Sequence, residues 1–194
     1  MNLAIAGLTA SGKTYQARKL AQNFGLEYVS GSKILLDVAG LSPTEDLFWI
    51  SEPGIRFAET RIGNSSLDRR TDELILQMAE SKKGIVFDSI TLPWLYQGSN
   101  LIRIYLAANA GARAHISLGS RDVMPYSLRE ITELIKRKDE YTIQLFKEMY
   151  GITIGETSGF DLVVDNSNLS RDETSRTLSE FVVSVMQPSP TLDN

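Results

Sequence analysis

The sequence predicts an α/β protein built on a mainly parallel sheet. Apolar strand-like runs alternate with helical stretches along the chain. A glycine-bounded loop, Gly7-Leu8-Thr9-Ala10-Ser11-Gly12-Lys13-Thr14, joins the first apolar run to a helical pattern. A second strongly apolar run, Gly84-Ile85-Val86-Phe87-Asp88, ends in an acid. In parallel sheets ligands bind beyond the carboxyl ends of strands, and both features sit at such ends.

The elements follow in order. Leu3–Ala6 reads as the first strand, and Thr14–Phe24 as a helix stopped by Gly25. Leu26–Val29 is a short strand. Ser30-Gly31-Ser32 caps a helix over Lys33–Val38 that ends at Gly40. Leu41–Gly54, with two prolines, has no clear pattern. Ile55–Glu80 is one long helix, or two broken near Gly63-Asn64. Strands at Gly84–Asp88 and Leu101–Ala107 precede a short helix at Ala112–Leu118 and a long charged one at Ser127–Tyr150. Phe160–Val164 is the last strand. Ser170-x-x-Glu173 is a capping box opening a helix to about Met186. We expect one domain over residues 1–187 and a frayed tail at 188–194.

Composition narrows the chemistry. The 194 residues carry a net charge of −4, which draws neither nucleic acid nor an anionic membrane. There is no cysteine and one histidine, His115, so thiolate and His-rich metal sites are excluded. No apolar stretch has the ~20 residues of a membrane span, and no signal-peptide pattern opens the chain, so we expect a cytoplasmic protein.

The loop carries the chemistry. Glycines at its ends let the backbone curl so that successive N–H groups point inward, and the following helix adds its positive end. Gly7, Thr9, Ala10, Ser11 and Gly12 form this cradle. Lys13 reaches the β- and γ-phosphates of ATP, and the Thr14 hydroxyl ligates Mg²⁺. Asp88 fits a second metal-site group, as the acid that ends an apolar strand beside such a loop. These features predict a three-layer P-loop NTPase fold: a mainly parallel five-stranded sheet flanked by helices.

Four stretches then resemble the nucleoside monophosphate kinases, above all the small archaeal-type cytidylate kinases. They are Ile5 to Ser32; Leu67-Asp68-Arg69-Arg70-Thr71 with its helix; Lys147-Glu148-Met149-Tyr150-Gly151-Ile152; and Asp161-Leu162-Val163-Val164-Asp165-Asn166-Ser167. The resemblance implies transfer of a phosphoryl group from ATP to a small-molecule acceptor, a nucleotide or another, by a monomer or homodimer. It implies a helical acceptor-binding segment at about 30–80 and a lid at about 113–150. Ser30, Lys33, Arg61, Asp68 and Arg69 would meet the acceptor. Arg121, Arg137 and Lys138 would join Lys13 as catalytic cations, Arg113 would face the ATP phosphates, and Asn166 would flank the adenine. Phe48, Trp49 and Trp94 are aromatic enough to stack on a base, although packing is the commoner use of such residues. Arg56 reads as surface charge, and His115 has no assigned role.

Three arginines of the resembled pattern are missing. Leu36, Ile90 and Leu145 stand at those positions. Leucine and isoleucine cannot replace bidentate arginine–phosphate pairs. The donor half of the site is thus intact and the acceptor half rebuilt. That implies an acceptor other than CMP, either less charged and more apolar or a modified nucleotide, or a nucleotide-binding regulatory protein with weak or no transfer.

Overall fold

The computed structural model describes residues 1–42, 48–119 and 126–186. Five parallel strands form one sheet in the order β2-β3-β1-β4-β5. These are β1 (Asn2–Ala6), β2 (Glu27–Ser30), β3 (Ile85–Asp88), β4 (Leu101–Ala107) and β5 (Leu162–Asp165). The central strand β1 is buried on both faces, which is why it reads as a continuous apolar run rather than an alternating one. Register pairs Ile5 with Asp88, Ser30 with Asp88 and Ala107 with Asp165, so the functional strand ends lie along one edge.

Helices cover both faces. α1 (Lys13–Phe24) and α8 (Arg171–Met186) close one side over Leu3, Ile5, Ile104, Leu106 and Val164. α4 (Ser66–Ser81) and α5 (Leu92–Leu95) close the other, where Ile75, Ala79 and Leu92 pack on Ala4, Val29 and Phe87. α2 (Gly31–Val38), α3 (Glu52–Arg61), α6 (Ala110–Leu118) and α7 (Leu128–Tyr150) stand beyond the strand ends. Ile50, from a 3₁₀ turn at Phe48–Ile50, packs with Ala114, Ile131 and Ile135 and so ties α6 and α7 to the segment before α3.

Several boundaries differ from the sequence-based expectation. The stretch Ile55–Glu80 takes the second of its two expected forms, two helices broken around Gly63, whose φ is +75°. α3 starts three residues earlier than Ile55, because Ser51 caps it and Pro53 suits the first turn, which lacks hydrogen-bonded N–H groups anyway. α2 starts at Gly31, with the Ser30 hydroxyl accepting the Lys33 N–H at 3.3 Å. The short α5, also begun by a proline, was too brief to show periodicity. The expected capping box forms at Ser170/Glu173, and a second, not read from the sequence, forms at Ser127/Glu130. The tail and Arg121 lie outside the described residues. Among those residues no helix is long and apolar enough to cross a membrane.

Asn2 is the one polar residue within β1, and it is 1% exposed. Its amide donates to the carbonyls of Ala79 (3.1 Å) and Lys82 (2.9 Å), and its Oδ1 accepts the Ile85 N–H (3.1 Å). It thereby ends α4 and starts β3. Asn2→Ala leaves three buried backbone groups unpartnered, and we expect a loss of roughly 2–4 kcal/mol. Urea denaturation should show a lower midpoint with an unchanged slope.

Candidate active site

The loop between β1 and α1 has the shape its glycines permit. Gly7 sits at φ +150°, and a Cβ there would lie 2.5 Å from the Leu106 carbonyl oxygen. Gly12 sits at φ +90°. Ala10 also takes a positive φ, +63°, which is uncommon for a residue with a Cβ. Such a conformation persists when its surroundings impose it. Here the constraint acts on Thr9, its neighbour. The Thr9 N–H donates to Asp139 Oδ1 at 3.2 Å, and the Thr9 carbonyl accepts from Arg113 Nη1 at 2.8 Å. Arg113 and Asp139 are themselves joined by a buried ion pair, and Arg113 Nε donates to the Ala108 carbonyl at 3.0 Å. An acid from α7 and a guanidinium from α6 therefore hold one main-chain unit of the loop from both sides.

Lys13 donates from Nζ to the Leu8 carbonyl at 2.8 Å, across its own loop. Burial lowers its pKa, while Asp88 and Asp139 oppose that shift. The Thr14 hydroxyl donates to Asp88 Oδ2 at 2.6 Å. The two oxygens expected at a metal are thus adjacent, brought together from α1 and the end of β3. Ser11 Oγ is buried with no hydrogen-bond partner, and Asn166 Nδ2 donates to the Ser11 carbonyl at 3.0 Å. A glycine cradle, an unpartnered buried hydroxyl and a hydroxyl–carboxylate pair fit a phosphate chain with a hard, oxygen-seeking cation.

Two spaces meet at this loop. An outer groove is lined by Ser11, Gly12, Lys13, Thr14, Tyr15, Asn166 and Arg171. An inner cavity of about 200 Å³ runs from Thr9, Lys13 and Thr14 past Asp88 to α2, α4 and α7. Gly31 lets α2 approach closely, since a Cβ there would lie 3.2 Å from both the Asp88 carbonyl oxygen and Ile75 Cδ1. Trp49 borders both spaces.

The candidate residues divide between them. Lys13, Thr14, Asp88, Arg61, Asp68 and Lys138 all line the inner cavity. Arg61 and Asp68 form a buried ion pair there, with Arg61 Nε and Asp68 Oδ2 left without partners. Lys138 is 5% exposed, hydrogen-bonds Thr142 Oγ1 at 3.0 Å and lies 5.4 Å from the Trp49 ring centre. Burial pushes its pKa down to about 7. Ser30 and Lys33 border the outer groove instead, because Ser30 is spent as the cap of α2. Arg69 lies over the Tyr150 ring, 5.5 Å from its centre, and lines neither space.

Two of the expected cations are engaged elsewhere. Arg113 does not face the phosphate cradle; its guanidinium is consumed by Thr9, Ala108 and Asp139. Arg137 is 42% exposed and donates to Glu52 Oε1 at 2.7 Å, on the outside of α3. One helical step from Lys138 turns its side chain away from the cavity. Of the three apolar positions noted in the sequence, Ile90 lines the inner cavity, Leu36 borders the outer groove, and Leu145 is buried with Phe146 and Ile152.

Sequence reasoning missed Asp72, Thr91 and Tyr150. Asp72 is 6% exposed, borders the inner cavity, and accepts the hydroxyls of Thr91 and Tyr150. Burial raises its pKa to about 6. Its position four residues after Asp68, on the same helix face, was an available signal. The pairing of Asp139 with Arg113 gave none, because the two are 26 residues apart in sequence.

The model of the cytidylate kinase-like family matches residues 2–168. The chain belongs to that family. Among curated relatives it is 29% identical over 185 residues to the cytidylate kinase of Sulfurisphaera tokodaii, covering 94% of this chain and 95% of that one. It is 30% identical over 191 residues to the cytidylate kinase of Saccharolobus islandicus, covering 98% and 95%. Solved structures share the fold at low identity. A protein from Eubacterium ventriosum superposes with a TM-score of 0.68 at 15% identity, over 95% of this chain and 98% of that one. Shikimate kinase from Acinetobacter baumannii superposes at 0.56 and 15%, over 96% and 95%. These structures thus share the α/β fold that the sequence predicts.

Removing one member of a buried ion pair typically costs about 3–5 kcal/mol. Asp139→Ala should lower stability by that amount in urea denaturation. It should also weaken nucleotide binding in a folded variant, because Thr9 loses one of its two anchors.

Proposed function

We propose that this chain transfers the γ-phosphoryl group of ATP to a nucleotide or other small-molecule acceptor, as a kinase of the nucleoside monophosphate type. The observation that carries this is the inner cavity, which opens directly from Lys13, Thr14 and Asp88 and is walled on its far side by α2, α4 and α7. A donor in the cradle and an acceptor in the cavity would meet head to head. Family membership and the cytidylate kinase relatives support the same reaction.

Each residue has a part to play. The loop amides and Lys13 hold the phosphate chain of the donor, and Asn166 braces the loop at Ser11. Magnesium, held by Thr14 and Asp88, would neutralise charge on the phosphates. Lys138 is placed to stabilise the charge that spreads over the transferred group, since transfer of this kind needs positioning and neutralisation more than a base. Trp49 and the helices beyond the strand ends keep bulk water from the reacting groups, which strengthens every charge interaction inside. We place this activity in the cytoplasm, where ATP is supplied.

Incubation with Mg·ATP and a panel of acceptors should release ADP in an acceptor-dependent manner. Lys13→Ala should lower the rate by on the order of a hundredfold or more. ADP release independent of acceptor would instead indicate an NTPase, and ATP binding without turnover a regulatory protein.

Lys138 gives a pH signature. An ammonium loses its proton above its pKa, so the charge at Lys138 disappears as pH rises through about 7. The rate should fall over that range. Lys138→Arg, which keeps its charge, should move the alkaline limb upward in the pH–rate profile.

A further inference from the structure

We propose that Trp49 is a positioning residue for phosphoryl transfer: its ring face holds the Lys138 ammonium beside the junction of the outer groove and the inner cavity, where the transferred group passes. This rests on the kinase reading above and adds the residue that aims Lys138. The first support is where Trp49 stands. Thr9, Ala10, Lys13, Thr14 and Ser32 line both spaces, and the Trp49 ring joins them at that crossing. Lys138 Nζ lies over the ring, 5.4 Å from its centre. An indole face carries negative charge density, and its attraction for an ammonium grows where water is excluded.

The second support is what Lys138 requires. A lysine is a point charge on a flexible stem, so its place must be set by what surrounds it. Thr142 Oγ1 accepts from Nζ at 3.0 Å, while the Thr142 hydroxyl donates to the Lys138 carbonyl at 2.8 Å. One hydrogen bond leaves the stem free to swing, and the ring restrains it on a second side. Arg61 of α3 and Lys13 of α1 disfavour the charge there, whereas Asp68 of α4 and Asp139 of α7 favour it. A carboxylate bound tightly to Nζ would cancel the charge that transfer needs. An aromatic face holds the ammonium without neutralising it, which leaves that charge for the phosphoryl group.

The third support is how the chain builds the ring's position. The Phe48 carbonyl accepts the Ser51 hydroxyl at 2.8 Å and the Ser51 N–H at 3.2 Å. Gly54 lets the start of α3 close on this turn, since a Cβ there would lie 1.7 Å from the Phe48 carbonyl oxygen and 3.2 Å from Trp49 Cα. On the other side of Trp49, Ile50 is buried against α6 and α7. The Phe48 and Phe57 rings lie 5.1 Å and 6.1 Å from the Trp49 ring. The residues flanking Trp49 are thus anchored, yet its own side chain stays partly exposed where two open spaces meet. Packing alone would place an indole deeper.

The test compares full-length variants with Mg·ATP and the acceptor that releases most ADP in the panel above. Trp49→Leu keeps apolar bulk and loses the aromatic face; Trp49→Phe keeps a face. Trp49→Leu should lower kcat about tenfold and leave each KM within about twofold. Its alkaline limb should move to lower pH, because the ring favours the charged form of Lys138 and its loss lets the proton leave earlier. Trp49→Phe should keep at least about a third of the wild-type kcat. Wild-type kcat and an unmoved limb in Trp49→Leu overturn the proposal, as does a Phe variant as slow as the Leu variant. ADP release with no acceptor of the panel defeats the kinase reading and this role with it.

A second measurement needs neither turnover nor a change at Trp49. The chain has two tryptophans, so Trp94→Phe leaves Trp49 as its one indole. In that background Lys138→Met removes the ammonium and keeps a long unbranched side chain. Below the Lys138 pKa of about 7, where the ammonium is charged, this change should shift the Trp49 emission maximum. Emission that Lys138→Met leaves unmoved overturns the proposal and leaves the kinase reading standing.

Discussion

Two side chains from different helices take hold of a single peptide unit in the phosphate-binding loop. Asp139 of α7 accepts the Thr9 N–H, and Arg113 of α6 donates to the Thr9 carbonyl. Their mutual ion pair is buried, so neither is free to relax into water. That grip sets the entry to the loop, where Ala10 adopts a left-handed backbone that an isolated chain would avoid. The glycines at positions 7 and 12 make the curled shape possible, and the Arg113–Asp139 pair makes it persist. It also fastens α6 and α7 to the sheet edge, and α7 forms one wall of the inner cavity. The shape of the loop and that wall of the cavity therefore share a structural cause.

Around the loop the surface is polar and carries Lys13 and Arg171. Beyond it the cavity changes character. The Arg61–Asp68 pair, the Asp72 cluster and Lys138 give a balanced set of charges enclosed by aliphatic and aromatic walls. Balance of this kind is costly to build, since each buried ion must be compensated. Its retention fits recognition rather than stability. Outside, Arg137 and Tyr141 hold Glu52 and Glu59 of α3, which keeps the cavity's cover in place.

Much of this was legible in the sequence. The alternation of apolar runs with amphipathic stretches gave the layers and all five strands to within two residues at each end. The loop from Gly7 to Thr14 gave the candidate site, and Asp88 was recognisable as an acid ending an apolar strand beside such a loop; the structure sets it against Thr14. Local signals did well where local energetics decide, as at the Ser170/Glu173 capping box. They failed where partners are distant in sequence. Arg113 looked like a phosphate ligand because nothing nearby could show that Asp139 would occupy it. Arg137 and Lys138 looked alike as neighbours in one charged run, but adjacent helical residues point about 100° apart, and only Lys138 enters the cavity. Asp72 hid among the charges of an amphipathic helix until Thr91 and Tyr150 were brought against it.

The central claim is that this preformed loop, together with the Thr14–Asp88 oxygens, binds a magnesium triphosphate. Calorimetric titration of the chain with a nonhydrolysable ATP analogue, with and without Mg²⁺, tests it most directly. We predict one analogue per chain, bound more tightly when magnesium is present. No binding, or binding indifferent to magnesium, would contradict it.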